Sequence, residues 1–247
     1  MAAKSAMPIG GGVKFAGFSR DALQFLRDLK QNNDRDWFRE RKPIYEETLK
    51  QPAEQLVSEA AAATRKLGFP LFPKERSPLT RIYRDIRFSS DKTPFHTHIG
   101  ASLKGSPGKS NLGELYIHIH PEDAFVAAGF WMPERPFLQV WRERMAQNPK
   151  EFNKVLRMLA AKDLKWLDGY SLKRLPRGFE NQKDSELEPH FKRQVFIVQR
   201  RLTTKEIGSP KLVDLIAQFA IASRPLLDYG WNLKYVPKRD ILAESDF

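Results

Sequence analysis

The chain contains no cysteine. That removes disulfides, thiolate nucleophiles and cysteine-ligated zinc from consideration. No stretch approaches the ~20 consecutive apolar residues that a bilayer-spanning helix needs, so no membrane partner is expected. The opening MAAKSAMPIGGGVKFAG lacks the apolar centre of a secretory signal. It reads as a flexible lead-in over residues 1–17, with a cytoplasmic location as the default. There is no Gly-x-Ser-x-Gly elbow. GSPGKS at 105–110 imitates a phosphate loop, but Leu103 stands where the first glycine belongs, and a strand-like ELYIHI follows in place of a helix. Lys104 and Lys109 are left there as a basic turn. No internal repeat, no block of like charges and no sharp break in composition divides the chain.

What the chain has in excess is positive charge. Its 247 residues carry 42 Lys and Arg against 30 Asp and Glu, a net +12, with 41% hydrophobic residues to build a core. The balance favours an anionic partner, either a small phosphate- or carboxylate-bearing ligand or nucleic acid; a solvated basic surface is the plainer alternative.

The pattern predicts helix, then sheet, then helix. Ser19 caps a helix over 20–31 that aligns Leu23, Leu26 and Leu29, and Asp34 caps the next. Pro43 and Pro52 each suit a first helical turn, so 35–67 is expected as two or three pieces ending at Gly68. Strands are expected at 81–88, 97–103, 113–120 and 124–130, and another around VFIV at 195–198. From Pro136, helical spacing places Phe137, Val140, Trp141 and Met145 on one side. A final helix runs from Ser209-Pro210 to about Gly230. The expected fold class is α+β: one domain over 18–233, a mainly antiparallel sheet from the middle of the chain packed by N- and C-terminal helices, and a loose tail over 234–247.

RIYRDIRFSSDKTPFHTH at 81–98 concentrates the chemistry. As a strand it would place Arg81, Tyr83, Asp85 and Arg87 on one face. Two forked guanidinium groups on one face suit a carboxylate or phosphate, with Asp85 as base or orienting group and Lys92 as a mobile charge. Arg84 would share the other face with Ile82, Ile86 and Phe88, which requires an acid partner, and Asp91 is the natural one. The competing reading is a lattice in which these charges satisfy one another and bind nothing. LKRLPRGF at 172–179 offers Lys173, Arg174 and Arg177 as a second basic lobe or as a plain surface turn.

Four of the five histidines form i, i+2 pairs, His96/His98 and His118/His120. Adjacent strands would gather His98, His118 and His120, a metal site that Asp85 or Asp91 could complete, although the spacing matches no zinc signature. They serve equally as the polar side of LYIHIH. Among the aromatics Trp141 reads as core, whereas Trp37 beside Asn32, Asn33 and Asp36 could wall a polar pocket. The residues assign no reaction, cofactor or oligomeric state.

Several of these motifs occur in one order: NN-x3-WF at 32–38, the arginine-rich run at 81–95, G-F-W-x-P at 129–133, L-K-R-L-P-R-G-F at 172–179 and R-P-L-L-D at 224–228. Together they resemble a bacterial and fungal family of conserved hypothetical proteins called domain of unknown function 2461, over about 18–233. The resemblance implies a single compact domain and marks Arg81, Arg84, Asp85, Arg87, Asp91, Lys92 and Pro94; it implies no particular reaction. The chain departs from the family pattern at Phe95 and His96, where tyrosine and lysine are expected, and at KDSE (183–186), near which a His-Pro is expected. A metal site using His96 would therefore be peculiar to this chain.

Overall fold

The computed structural model describes residues 14–74, 77–87, 89–105 and 112–235. Helix α1 (Arg20–Gln31) starts where the Ser19 hydroxyl accepts from the Ala22 N–H, and it buries Leu23, Leu26 and Leu29. Asp34 restarts the chain as α2 (Arg35–Tyr45) by accepting from the Asp36 and Trp37 N–H groups. The stretch is three abutting helical pieces, as expected, and Pro52 falls in a first turn, but Pro43 does not. Pro43 lies inside α2, residues 46–50 form a wider π turn, and Pro52 is the second residue of α3 (Gln51–Lys66). Such a turn occurs where the regular hydrogen-bond ladder is interrupted, and it lets the helix continue past both prolines.

The sheet follows as β1 (Phe72–Pro73), β2 (Ile99–Lys104), β3 (Glu114–Ile119) and β4 (Phe125–Phe130). Then come α4 (Arg135–Gln147), α5 (Pro149–Ala160), β5 (Lys165–Trp166), α6 (Glu188–Lys192), β6 (Phe196–Arg201), α7 (Thr204–Ile207) and α8 (Leu212–Trp231). Every pairing is antiparallel, in the order β1-β2-β3-β4-β6-β5. The fold is α+β, a single sheet with flanking helices. The sequence pattern missed the two-residue strands β1 and β5, which carry too few residues to show an alternation. Ser209 and Pro210 form the turn before α8, which begins at Leu212. No described helix is long and apolar enough to cross a membrane.

One expected strand is absent. Among the described residues of this stretch, 81–87, there is a single antiparallel bridge, Tyr83 to Phe95. Arg84 N–H donates to the Pro94 carbonyl and His96 N–H to the Ile82 carbonyl, which makes a short stem closed by a loop. Pro94 has no N–H with which to extend the ladder, and Ser89 N–H turns back to Ile86.

Strand alternation divides the sheet into two faces. Leu103, Leu115, Ile117, Val126, Phe130 and Val198 are buried on the face that meets α3, α4 and α8. Trp141 is fully buried there and stacks on Phe196 at 4.1 Å. The packed region begins earlier than the expected boundary at 18. Phe15 is buried, and its N–H donates to Glu59 at 2.6 Å. At the other end Tyr235 still packs edge-on against Phe137. The rest of the expected tail, most of the lead-in, Phe88 and Lys109 lie outside the described residues.

A buried arginine does exist, but it is Arg142. At 7% exposure it donates to the Phe191 carbonyl at 2.9 Å and the Arg193 carbonyl at 3.0 Å, tying α4 to the chain that leads from α6 into β6. The Arg84 side chain is 22% exposed. Nothing in the periodicity distinguished Arg142, because its partners are backbone carbonyls.

Candidate functional site

The second sheet face carries a cleft of about 540 Å³. Register places its floor in three cross-strand rows. The first is His118, Phe125 and Arg201, and the second is Tyr116, Ala127 and Gln199. The third is Glu114, Gly129 and Ile197. Small residues at Ala127 and Gly129, with larger ones beside them, hollow out the middle. Gly129 has φ +138°, and a Cβ there would stand 1.9 Å from the Phe196 carbonyl oxygen. Only glycine lets β4 approach β6 this closely.

Beyond Gly129 the strand ends abruptly. Trp131 is 52% exposed, and Met132 sits at φ +41°, a conformation that unbranched side chains tolerate only under constraint. Trp131 meets Tyr170 edge to face, centroids 5.0 Å apart at 73°. Both line the cleft with Leu167. The G-F-W-x-P motif thus supplies the floor through Gly129 and a wall through Trp131.

The histidines form a row along the other end. Ring centroids of His96 and His98 are 5.0 Å apart, those of His98 and His118 4.2 Å, and those of His118 and His120 6.1 Å. His118 also stacks on Phe125 at 4.6 Å and 11°, and its Nδ1 lies 3.5 Å from the Tyr116 hydroxyl. Burial, then the neighbouring imidazoles, pushes His98 down to about 3 and His118 to about 4. His96 and His120 are lowered as well, first by desolvation. At neutral pH the cleft therefore presents uncharged imidazoles. Neighbouring rings are tilted by 31–53° to one another. Among the described residues no group of three or more His, Cys, Asp or Glu side chains is arranged to hold a metal ion. His98, His118 and His120 do come together as expected, but as a row of tilted rings, and neither Asp85 nor Asp91 lines the cleft beside them.

These shifts have a consequence for stability. In the unfolded chain histidine titrates near 6.5 and so takes up protons before the folded protein does. Stability is then full above about pH 6.5 and falls as pH drops toward 4 and 3. Denaturant midpoints should begin to decline below pH 6.5, before the carboxylates titrate. In a His98→Asn/His118→Phe variant, the slope between pH 6.5 and 4 should be clearly flatter.

The arginine-rich stretch lies outside this cleft. Arg81, Tyr83, Asp85 and Arg87 are exposed while Ile82 is buried, so the expected alternation survives without a strand. Asp85 accepts from Arg87 at 2.7 and 2.9 Å, and Asp91 accepts from Arg84 at 2.5 Å. Arg84 also donates to the Thr93 carbonyl and hydroxyl, and Lys92 to the Ile86 carbonyl. Asp85 is held at about 2 chiefly by the Arg87 side-chain hydrogen bond, and Asp91 at about 2 chiefly by the Thr93 N–H. Their contribution to stability is present above about pH 4 and is lost toward pH 2.

The loop is anchored by Asn33. Its amide nitrogen donates to the Phe95 carbonyl at 2.9 Å, and its oxygen accepts from the Phe95 N–H at 3.0 Å. Phe38 stacks on Phe95 at 4.2 Å and touches Tyr83. The NN-x3-WF and R-I-Y-R-D motifs therefore meet each other. Trp37 packs on Phe25 and under Arg41, which corrects its expected place as a pocket wall. Lys173 and Arg174 are exposed in the loop after Tyr170. That loop follows β5 and the arginine loop precedes β2, at opposite sides of the sheet. With strands about 4.8 Å apart, the two basic segments are not brought together as lobes of one clamp.

Sequence reasoning missed Glu114, Tyr116, Ala127, Gly129, Tyr170, Gln199 and Arg201 as cleft residues. For all but Tyr170, which lies in a loop, the only signal was a place on the second face of a strand.

A family model described as "Conserved hypothetical protein (DUF2461)" matches residues 21–229. No curated protein matches, and no solved structure does. The chain belongs to that family.

Proposed function

We propose that, in this member of the DUF2461 family, the cleft on the second sheet face binds a small molecule with a flat, largely apolar body, while the arginine loop frames the fold. The observation that carries this reading is the cleft's construction. A glycine and alanine floor lies between the Trp131–Tyr170 corner and a row of neutral imidazoles, in a volume typical of small-molecule sites. His98, His118, Tyr116 and Gln199 supply neutral donors and acceptors to orient the ligand. Imidazoles held this far below their ordinary value are weak proton acceptors, so their part here is to orient the ligand, not to take its protons.

An anionic ligand, the expectation raised by composition, has less support. In the loop, Arg84 and Arg87 already face Asp91 and Asp85. In the cleft the lining arginine, Arg201, pairs with Asp123 at 2.6 Å.

Indole is a suitable probe. Titration monitored at the tryptophan indole N–H signals should shift Trp131 saturably. Trp131→Ala, which removes that reporter and is therefore followed by calorimetry, should weaken binding about tenfold, roughly 1.4 kcal/mol of lost stacking. Saturation that leaves the Trp131 signal unmoved would refute the reading.

A further inference from the structure

The two ends of the cleft differ in charge. At the histidine end Arg201 and Asp123 offset each other, and the imidazoles are neutral. At the other end stands Glu114, the first residue of β3, directly across from Gly129. It lines the cleft and forms no ion pair among the described residues. The nearest cation in register is Lys104, next after Leu103, which faces Leu115; Lys104 takes part in an interaction of its own. A chain of net +12 thus presents a negative charge in its cleft.

Aromatic faces stand over the same end. Gly129 leads two residues on to Trp131, whose indole meets the Tyr170 ring at 73°. Two rings near a right angle present adjoining π faces to whatever occupies the corner, and a ring face attracts a cation through its quadrupole. The strained Met132 immediately after holds the chain where Trp131 projects over the floor. The floor beneath is Gly129 and Ile197, which offer no competing donor side chain.

Resting on the cleft as the ligand site, we propose that its Glu114–Trp131–Tyr170 end recognises an organic cation, an amine or alkylated ammonium group borne by the flat ligand. Glu114 supplies the counter-charge, and the aromatic corner supplies a dry surface that prefers a soft cation to a hydrated inorganic one. Four residues of β3 separate Glu114 from His118, about 13 Å at strand rise. The flat body therefore spans the floor and its far edge reaches the imidazoles.

Two probes separate this proposal from the one beneath it. Benzyltrimethylammonium is cationic and indole is neutral; both are titrated against the full chain, with the Trp131 indole N–H as reporter. Benzyltrimethylammonium is expected to bind at least about fivefold more tightly than indole, in the range of a partly desolvated cation–π contact with a carboxylate. Glu114→Gln keeps the side-chain volume and the strand, which a circular dichroism spectrum checks. It should weaken the cation about tenfold and change indole less than twofold. If indole binds and the cation binds no better, or if the substitution affects both equally, cation recognition is overturned while the cleft reading stands. If neither probe moves Trp131, the cleft reading itself falls and this one falls with it.

Discussion

Gly129→Ala should destabilise the protein by about 3 kcal/mol or more, or prevent it from folding, because two penalties coincide at one position. Its φ of +138° lies in a region that L side chains rarely adopt. A methyl group there would also stand 1.9 Å from the Phe196 carbonyl oxygen and 2.9 Å from the Ile197 Cα, both backbone atoms that cannot rotate away. Relief requires β4 and β6 to separate, which breaks the central pairing of the sheet and lifts the cleft floor. Gly178 is the control. It has φ +89°, but a Cβ there meets nothing within 4 Å. Gly178→Ala should lose only about 1 kcal/mol, the conformational part alone. Urea midpoints of the two variants measure the difference directly. Similar losses at both positions would mean that β4 and β6 are not this close.

Asn33→Ala is expected to be the most damaging single change in the arginine-rich region, although Asn33 lies outside it. The substitution removes both hydrogen bonds to Phe95 and leaves that residue's N–H and carbonyl unpaired at a partly buried site. Losing two such bonds amounts to about 2–3 kcal/mol. The Phe38–Phe95 stack loosens with them, and the stem formed by Arg84–Pro94 and His96–Ile82 loses its support. Hydrogen exchange at the Phe95 amide should accelerate more than at Leu115 or Val126 in the sheet. Asp91→Ala should have a visibly smaller effect on the unfolding midpoint, since its partnership with Arg84 is solvent-exposed on the acid side. A larger effect at Asp91 than at Asn33 would make the ion pairs, not the asparagine, the anchor of the loop.

The contrast between these residues explains what could be read from the sequence. Helix starts at Ser19 and Asp34 were legible because capping is local: a short polar side chain reaches N–H groups two or three residues on. Strand β3 was legible because one face is buried and alternation follows, whereas β2 and β4 are mostly buried short apolar runs. Residues 81–87 show the same alternation of exposure but have only one bridged partner, so the pattern reported burial correctly and pairing incorrectly. The histidine row was half legible. Spacing of two residues put each pair on one face, whereas ring orientation depends on the stacking of His118 against Phe125 and its tilt against His98.

The cleft was nearly invisible for a physical reason. It is assembled from β3, β4, β6 and the loop around Tyr170, in an order no local window can contain. Its floor is marked by what it lacks, side-chain volume at Ala127 and Gly129. Charge drew attention to Arg81–Lys92 because arginines are conspicuous in a sequence. In the structure Arg84 and Arg87 face acids of their own loop.

The most direct test of the central claim uses the five tryptophans as an internal map. Trp141 is buried under the sheet, Trp37 packs by α1, Trp166 lies beside His190, and Trp231 donates to the Leu112 carbonyl, so Trp131 alone among them lines the cleft. Indole N–H signals are followed while benzyltrimethylammonium, indole and inorganic phosphate are titrated separately, with arginine side-chain signals recorded in parallel. The expected result is a saturable shift of the Trp131 signal with the first two probes, the other four indoles unmoved and phosphate without effect on it. Saturable phosphate shifts at the Arg81, Arg84 and Arg87 side chains, with Trp131 unmoved by every probe, would contradict the account and place the ligand site in the arginine loop.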